Sequence, residues 1–147
     1  MKNTINFNFE NPNENLGYLL WQTTMLWQRQ MNRALDEIGL THTQFVILMA
    51  LAWLLKTSEE VTQKEIADHS NTDRMMVSKI LRTLQKNKLI ERKEHKTDTR
   101  AKCVFLTQTG IEVLQKAIDI KTAANNLFFS KLTDKKQFAQ QLKLIIE

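Results

Sequence analysis

The chain has 147 residues, 42% apolar and 25% charged, with one cysteine, three glycines and one proline. That size fits one domain, or a compact domain with helical extensions, and so little turn punctuation excludes a many-turned β-sandwich or barrel in favour of a mainly α fold. No run approaches 18 apolar residues and residues 1–10 hold no hydrophobic signal core, so neither a membrane span nor a secretory peptide is expected; the single Cys103 rules out an intramolecular disulfide and fits a cytoplasmic setting.

Residues 1–12, rich in asparagine, are expected to form a flexible N-terminus. From 13 to 38, Leu16, Leu19, Leu20, Leu26, Trp27, Met31, Leu35 and Ile38 recur in steps of three and four, the stripe of one long helix that Gly39 ends as a left-handed cap. Thr41 with Gln44 makes a capping box, and Leu40 with Phe45 a hydrophobic staple. They open a helix over 42–56 that is apolar nearly all round and therefore the spine of the core. The same signature returns as Thr62 and Glu65 flanked by Val61 and Ile66, predicting a short helix over 63–69. Ser70, Asn71 and Thr72 form a polar break, with Thr72 the expected N-cap of a helix over 73–86.

On that helix Val77, Ile80, Leu81 and Leu84 point inward, while Arg74, Met75, Ser78, Lys79, Arg82 and Gln85 share the opposite face. Two short helices with a tight polar turn, the second basic on its outer face, are the pattern of a helix-turn-helix. Two strands over 89–95 and 100–107 follow, with Val104 and Leu106 on one face and Cys103 and Phe105 on the other. Thr107 caps a long helix over 108–130, and Thr133 opens a last one through Phe138, Leu142, Ile145 and Ile146.

The charge is not evenly spread. Residues 74–102 hold ten Lys or Arg against three acids, a net +7 where the whole chain carries +5. A basic segment on a slightly acidic remainder is the footprint of a polyanion partner, nucleic acid above all, since phosphate neutralisation with counterion release supplies most of that affinity. From charge alone a solvated face, an acidic protein or an anionic membrane fits as well.

Asp98-Thr99-Arg100 followed by Val104, Leu106-Thr107 and Gly110 resembles the wing pattern of the MarR family of bacterial transcription regulators. Gly39-Leu40-Thr41 with Gln44-Phe45 resembles that family's second-helix entry, and Val61 to Ala67 its helix-turn-helix start; the likeness runs from Leu16 to the end. One departure is Lys88, where the family commonly has glycine. A left-handed conformation there costs a non-glycine residue roughly 1 kcal/mol, so Asn87 is expected to take the cap instead.

The resemblance implies a winged helix-turn-helix lobe, a three-helix unit plus two-stranded wing over 39–107, with residues 13–38 and 108–147 forming a helical dimerisation region. The terminal apolar stripes, which a monomer of this length cannot bury on both sides, point the same way. The expected function is a homodimeric, sequence-specific DNA-binding regulator, a repressor of a pseudo-palindromic operator with half-sites about one helical turn apart. Arg74, Ser78 and Lys79 would reach base edges, Arg74 or Lys79 taking guanine O6 and N7, with Met75 or Met76 on a thymine methyl. Met76 fits a place in the core equally well. Arg82 and Lys86 suit phosphates. In the wing the resemblance assigns Arg100 to the minor groove with Asp98 holding its guanidinium, and Lys93, Lys96 and Lys102 to the backbone.

The resemblance also implies a crevice for a small aromatic or anionic effector, which Trp21, Met25 and Trp53 suit; they suit a dimer core just as well. Cys103 reads as a small buried hydrophobe, and His42 as a surface residue of a first helical turn. His42, His69 and His95 lack ligand spacing, so neither a metal nor another cofactor is expected. No nucleophile motif or Gly-rich phosphate loop occurs, so the chain is not read as an enzyme. The alternatives are an architectural DNA-binding protein with weak sequence choice and a module whose basic face meets an acidic protein.

Overall fold

The computed structural model describes residues 4–98 and 100–147; residues 1–3 of the expected flexible N-terminus and Thr99 of the wing motif lie outside them. Six α-helices and one antiparallel hairpin occur among these residues: α1 (Leu16–Leu35), α2 (His42–Leu54), α3 (Gln63–Ser70), α4 (Arg74–Lys86), β1 (Ile90–Glu94), β2 (Lys102–Leu106), α5 (Gln108–Phe128) and α6 (Lys135–Ile146). The mainly α, winged helix-turn-helix architecture expected from the sequence is present. Among the described residues no single helix is long and apolar enough to cross a membrane.

Local chemistry sets most boundaries. Both capping boxes close reciprocally, Thr41 with Gln44 and Thr62 with Glu65, satisfying backbone N–H groups that would otherwise lack partners. Gly39 sits at φ 72°, the left-handed exit from a short 3-10 turn that continues α1. The expected starts of α4 and α6 are each corrected. Asp73, not Thr72, caps α4, its carboxylate accepting from Met75 N and Met76 N, while the Thr72 hydroxyl donates to Ser70 O. Asp134, not Thr133, caps α6 by accepting from Gln137 N. An aspartate one residue nearer the helix reaches the free N–H groups and brings favourable charge to the positive end of the helix dipole.

α2 is the spine. Ile47, Leu48 and Leu51 are fully enclosed and join Leu35, Ile66, Val77, Leu81, Leu84, Val104 and Leu114 in one continuous core. β2 lies between β1 and the segment entering α3: Thr62 bridges to Cys103, and Val104 N donates to Val61 O at 2.8 Å. Cys103 and Val104 are consequently both buried, although they lie on opposite faces of the strand. The two-faced alternation expected of β2 therefore gives one closed stretch rather than a wet and a dry side.

Asn87 is the C-cap of α4, as expected (φ −81°, ψ 5°), but this does not spare its neighbour: the left-handed conformation falls on Lys88, at φ 61°. Leu89 N bonds Leu84 O and Lys88 N bonds Gln85 O, a closing pattern that puts the positive φ at this position whatever residue occupies it. Lys88→Gly should accordingly stabilise the chain by about 1 kcal/mol, read as a higher urea midpoint with unchanged slope. An unchanged or lower midpoint would show that Lys88 carries no backbone strain.

Candidate nucleic-acid interface

α4 spans about 20 Å at 1.5 Å per residue, and its outward side presents Arg74, Met75, Lys79, Arg82 and Lys86 exposed and Ser78 half-buried. Met76 is 43% exposed and so is not part of the core, which leaves it beside Met75 at the start of the helix. Between the start of α3, Ser78 of α4 and the wing lies a cleft of about 590 Å³ lined by Thr62, Gln63, Ser78, Arg92, Arg100 and Lys102 among others. Of the residues singled out from sequence, Ser78, Asp98, Arg100 and Lys102 thus meet at one cleft.

The wing turn is held differently from the expectation. Asp98 Oδ1 accepts from the backbone N of Arg100 at 3.0 Å, and Ala101 N donates to Asp98 O at 3.1 Å. The carboxylate thus fixes the backbone, as aspartate does two residues ahead in a turn, and not the guanidinium. Among the described residues Arg100 is in no ion pair and is exposed. Its charge is free for a ligand. Lys93 is more engaged, 3.9 Å from Glu91 Oε2 and over the Phe105 ring at 5.5 Å.

Arg92 escaped the sequence reading except as part of the charge run. Its Nε donates to Gln85 Oε1 of α4 at 2.6 Å and its Nη1 to Gln63 Oε1 of α3 at 3.1 Å, tying the wing, the start of α3 and the exposed side of α4 together. Pattern could not reveal this, because both glutamines come near only once the lobe folds.

Trp21, Met25 and Trp53 do not share a cavity. Met25 lines a shallow hollow on α1 with Gln22 and Arg29, while Trp53 borders another with Phe45 and Met49 and lies under Lys56 Nζ at 4.4 Å. The buried polar group of this region lies elsewhere. His42, expected at the surface, is 4% exposed, because α1 and α5 close over the first turn of α2. Lys121 of α5, itself 6% exposed, donates to His42 Nε2 at 2.8 Å and lies 4.5 Å from the Trp27 ring and 5.1 Å from that of Phe45. Trp27 packs edge-on to His42 and donates to Asn125 Oδ1 at 2.9 Å, so three helices meet on one polar knot.

Burial pushes Lys121 down to about 8, and burial followed by the Lys121 charge pushes His42 down to about 4. Between pH 8 and the ordinary 10.5 the unfolded chain holds a proton at Lys121 that the folded chain has released, so stability rises with pH across that window. Between pH 4 and 6.5 the same sign holds for His42, and acid weakens the fold. Lys121→Met should raise stability at pH 7 by about 1–2 kcal/mol after loss of the contacts to His42 and Trp27, and should flatten the alkaline rise. Urea unfolding at pH 7 and pH 10 measures both; a parental stability flat from pH 8 to 10 contradicts the assignment.

Cys103, 1% exposed, has its thiol pushed up by burial and then by the carboxylates of Glu60 and Glu65. Among the described residues, Glu60, His95 and Cys103 are the group whose donor atoms converge closely enough to hold a metal ion.

The MarR family model matches residues 40–102. An uncharacterized HTH-type transcriptional regulator of Bacillus subtilis is 39% identical over 139 residues, 95% of each chain. The organic hydroperoxide resistance transcriptional regulator of the same species is 26% identical, over 90% of this chain and 87% of its own. An HTH-type transcriptional repressor of Mycobacterium bovis is also 26% identical, over 90% of this chain and 91% of its own. Among solved structures, a mutant Escherichia coli MarR complexed with operator DNA aligns at TM-score 0.81 and 20% identity, covering 90% of this chain and 94% of that one. The Staphylococcus aureus MepR–DNA complex aligns at 0.76 and 24% identity, covering 89% and 94%.

Proposed function

Because the chain belongs to the MarR family of bacterial transcription regulators, we propose that it binds double-stranded DNA as a homodimer and represses transcription from a pseudo-palindromic operator. The observation that carries this reading is an exposed, basic face on α4 together with a wing arginine, exposed and in no ion pair among the described residues, that shares a cleft with Ser78 of α4. α4 enters the major groove, where Arg74, Ser78 and Lys79 meet base edges, Met75 meets a thymine methyl, and Arg82 and Lys86 meet phosphates. Arg100 enters the neighbouring minor groove, and Lys93, Lys96 and Lys102 contact the backbone beside it. The relatives solved with DNA share this fold, and the Mycobacterium bovis relative is a named repressor.

The dimer reading rests on apolar side chains left in the open. Leu16 and Leu20 on α1, Leu127 on α5, and Leu144, Ile145 and Ile146 on α6 are all largely exposed, too many apolar residues at both ends of the chain for a soluble monomer. Pairing residues 13–38 and 108–147 across a two-fold axis buries them and leaves two lobes, residues 39–107, facing one duplex. A small aromatic or anionic effector acts in this scheme by preferring a lobe spacing that the operator does not fit.

Sedimentation of the purified chain should give a dimer. Its affinity for a palindromic site from its own promoter region should exceed that for random DNA by about a thousandfold or more at fixed salt. A ratio near one would replace the repressor by an architectural protein, and a monomer would remove the two-lobed geometry altogether.

A further inference from the structure

We propose that Glu60, His95 and Cys103 form a binding site for a borderline-soft divalent cation, zinc or its spectroscopic substitute cobalt, at the root of the wing. The three donor atoms all lie within 4.8 Å of one another, with His95 Nε2 2.9 Å from Glu60 Oε2. A tetrahedral ion with bonds of about 2.1 Å places its ligands about 3.4 Å apart, so small side-chain rotations bring this trio onto one centre.

The site is built from three separate segments: the approach to α3, the end of β1, and β2. Backbone bonds hold them in place. Val104 N donates to Val61 O at 2.8 Å, Thr62 bridges to Cys103, and His95 N donates to Ala101 O at 3.0 Å. One thiol, one imidazole and one carboxylate are a zinc or cobalt donor set, not that of magnesium or calcium, and they leave a fourth position for water. The carboxylates of Glu60 and Glu65 put negative charge around Cys103, which a divalent ion offsets as the thiol ionises. Lys96 Nζ, 3.9 Å from Glu60 Oε1, is on an exposed side chain that can swing clear. His95 has no ligand spacing along the chain; folding supplies its two companions.

Loading carries a structural consequence, set by where protons go. His95 Nδ1 accepts from Thr97 N at 3.2 Å and Asp98 N at 3.1 Å, so its proton sits on Nε2 and is donated to Glu60. Ligation through Nε2 requires that proton to transfer, through solvent, to Nδ1, while the thiol proton of Cys103 leaves to water. Nδ1 then donates and opposes both backbone N–H groups. The turn carrying Asp98, whose carboxylate positions the backbone of Arg100, must open. The ion and the hydrogen-bonded arrangement of Thr97 and Asp98 on His95 therefore compete.

The contrary reading is a plain Glu60–His95 contact beside an inert cysteine. Untagged, chelator-stripped full chain titrated with cobalt(II) decides between them. Cys103 is the only cysteine, so a thiolate-to-cobalt charge-transfer band can arise from this site alone. We expect one cobalt per chain, no such band in Cys103→Ser, and zinc and cobalt affinities at least about tenfold weaker in His95→Gln and Glu60→Gln. Both of those positions are half-buried, and their circular dichroism should match the parent. Absence of the band in the parent chain, or affinities unchanged in both variants, overturns the site. Amide exchange at Thr97 and Asp98 should quicken on zinc loading; unchanged exchange overturns the coupling to the wing tip.

Discussion

Gly110→Ala should destabilise the chain by about 3 kcal/mol or more, lowering its thermal midpoint by roughly 10 °C. Helix propensity alone predicts the opposite, since alanine within a helix is worth up to about 1 kcal/mol over glycine. The contact decides. A Cβ on Gly110 would meet Leu89 O at 2.0 Å and Leu89 C at 2.9 Å, both backbone atoms that cannot turn aside. Leu89 O is also the acceptor for Thr107 N at 3.1 Å, and the Thr107 hydroxyl donates to Lys88 O at 2.7 Å while accepting from Gly110 N at 2.9 Å. Making room for one methyl therefore separates the first turn of α5 from the exit of α4 and breaks bonds worth about 1 kcal/mol each. Since the same exit leads into β1, the wing shifts with it. Thermal and urea unfolding of the variant measure the loss; a midpoint at or above the parent's would mean that α5 and the α4 exit are not in this contact.

The elements legible in the sequence are those whose cause lies within a few residues. Thr41 with Gln44, Thr62 with Glu65, and Gly39 act over one helical turn, and each does in space what its spacing implies. The basic outer face of α4 is legible for the same reason, because helical period alone sorts Val77, Leu81 and Leu84 from Arg74, Lys79 and Arg82. Errors at Thr72 and Thr133 are one-residue choices between neighbouring caps, which pattern cannot rank when an aspartate follows a threonine. His42 is a different kind of miss. Its burial depends on Lys121, 79 residues away, and on Trp27, neither linked to it by any periodicity. The same holds for Arg92 with Gln63 and for Glu60, His95 and Cys103, groups assembled only when the wing folds against α3. Asp98 shows a third limit: the motif places it beside Arg100, but not whether it binds backbone or guanidinium.

Arg100→Ala should weaken binding to a specific duplex by roughly thirtyfold or more while leaving fold and oligomeric state intact. The guanidinium is exposed and, among the described residues, in no ion pair, so its removal takes nothing measurable from the folded chain. The proposed two-fold dimer would present it twice, and a groove contact at about 1–2 kcal/mol per arginine then sums to about 2–4 kcal/mol. Lys102→Ala at the same cleft provides the contrast: losing a phosphate contact weakens all sequences alike and lowers the salt slope by about one per subunit. Arg100→Ala should instead cost most on duplexes whose flanks are A·T-rich and narrow in the minor groove, and less where they are G·C-rich. Titrations of both variants against both flanks at several salt concentrations separate the two behaviours. If Arg100→Ala loses affinity evenly across flanks, the wing acts as another phosphate contact and specificity rests on α4 alone. If it loses none, the wing does not touch DNA, and the cleft beside α4 belongs to a different ligand.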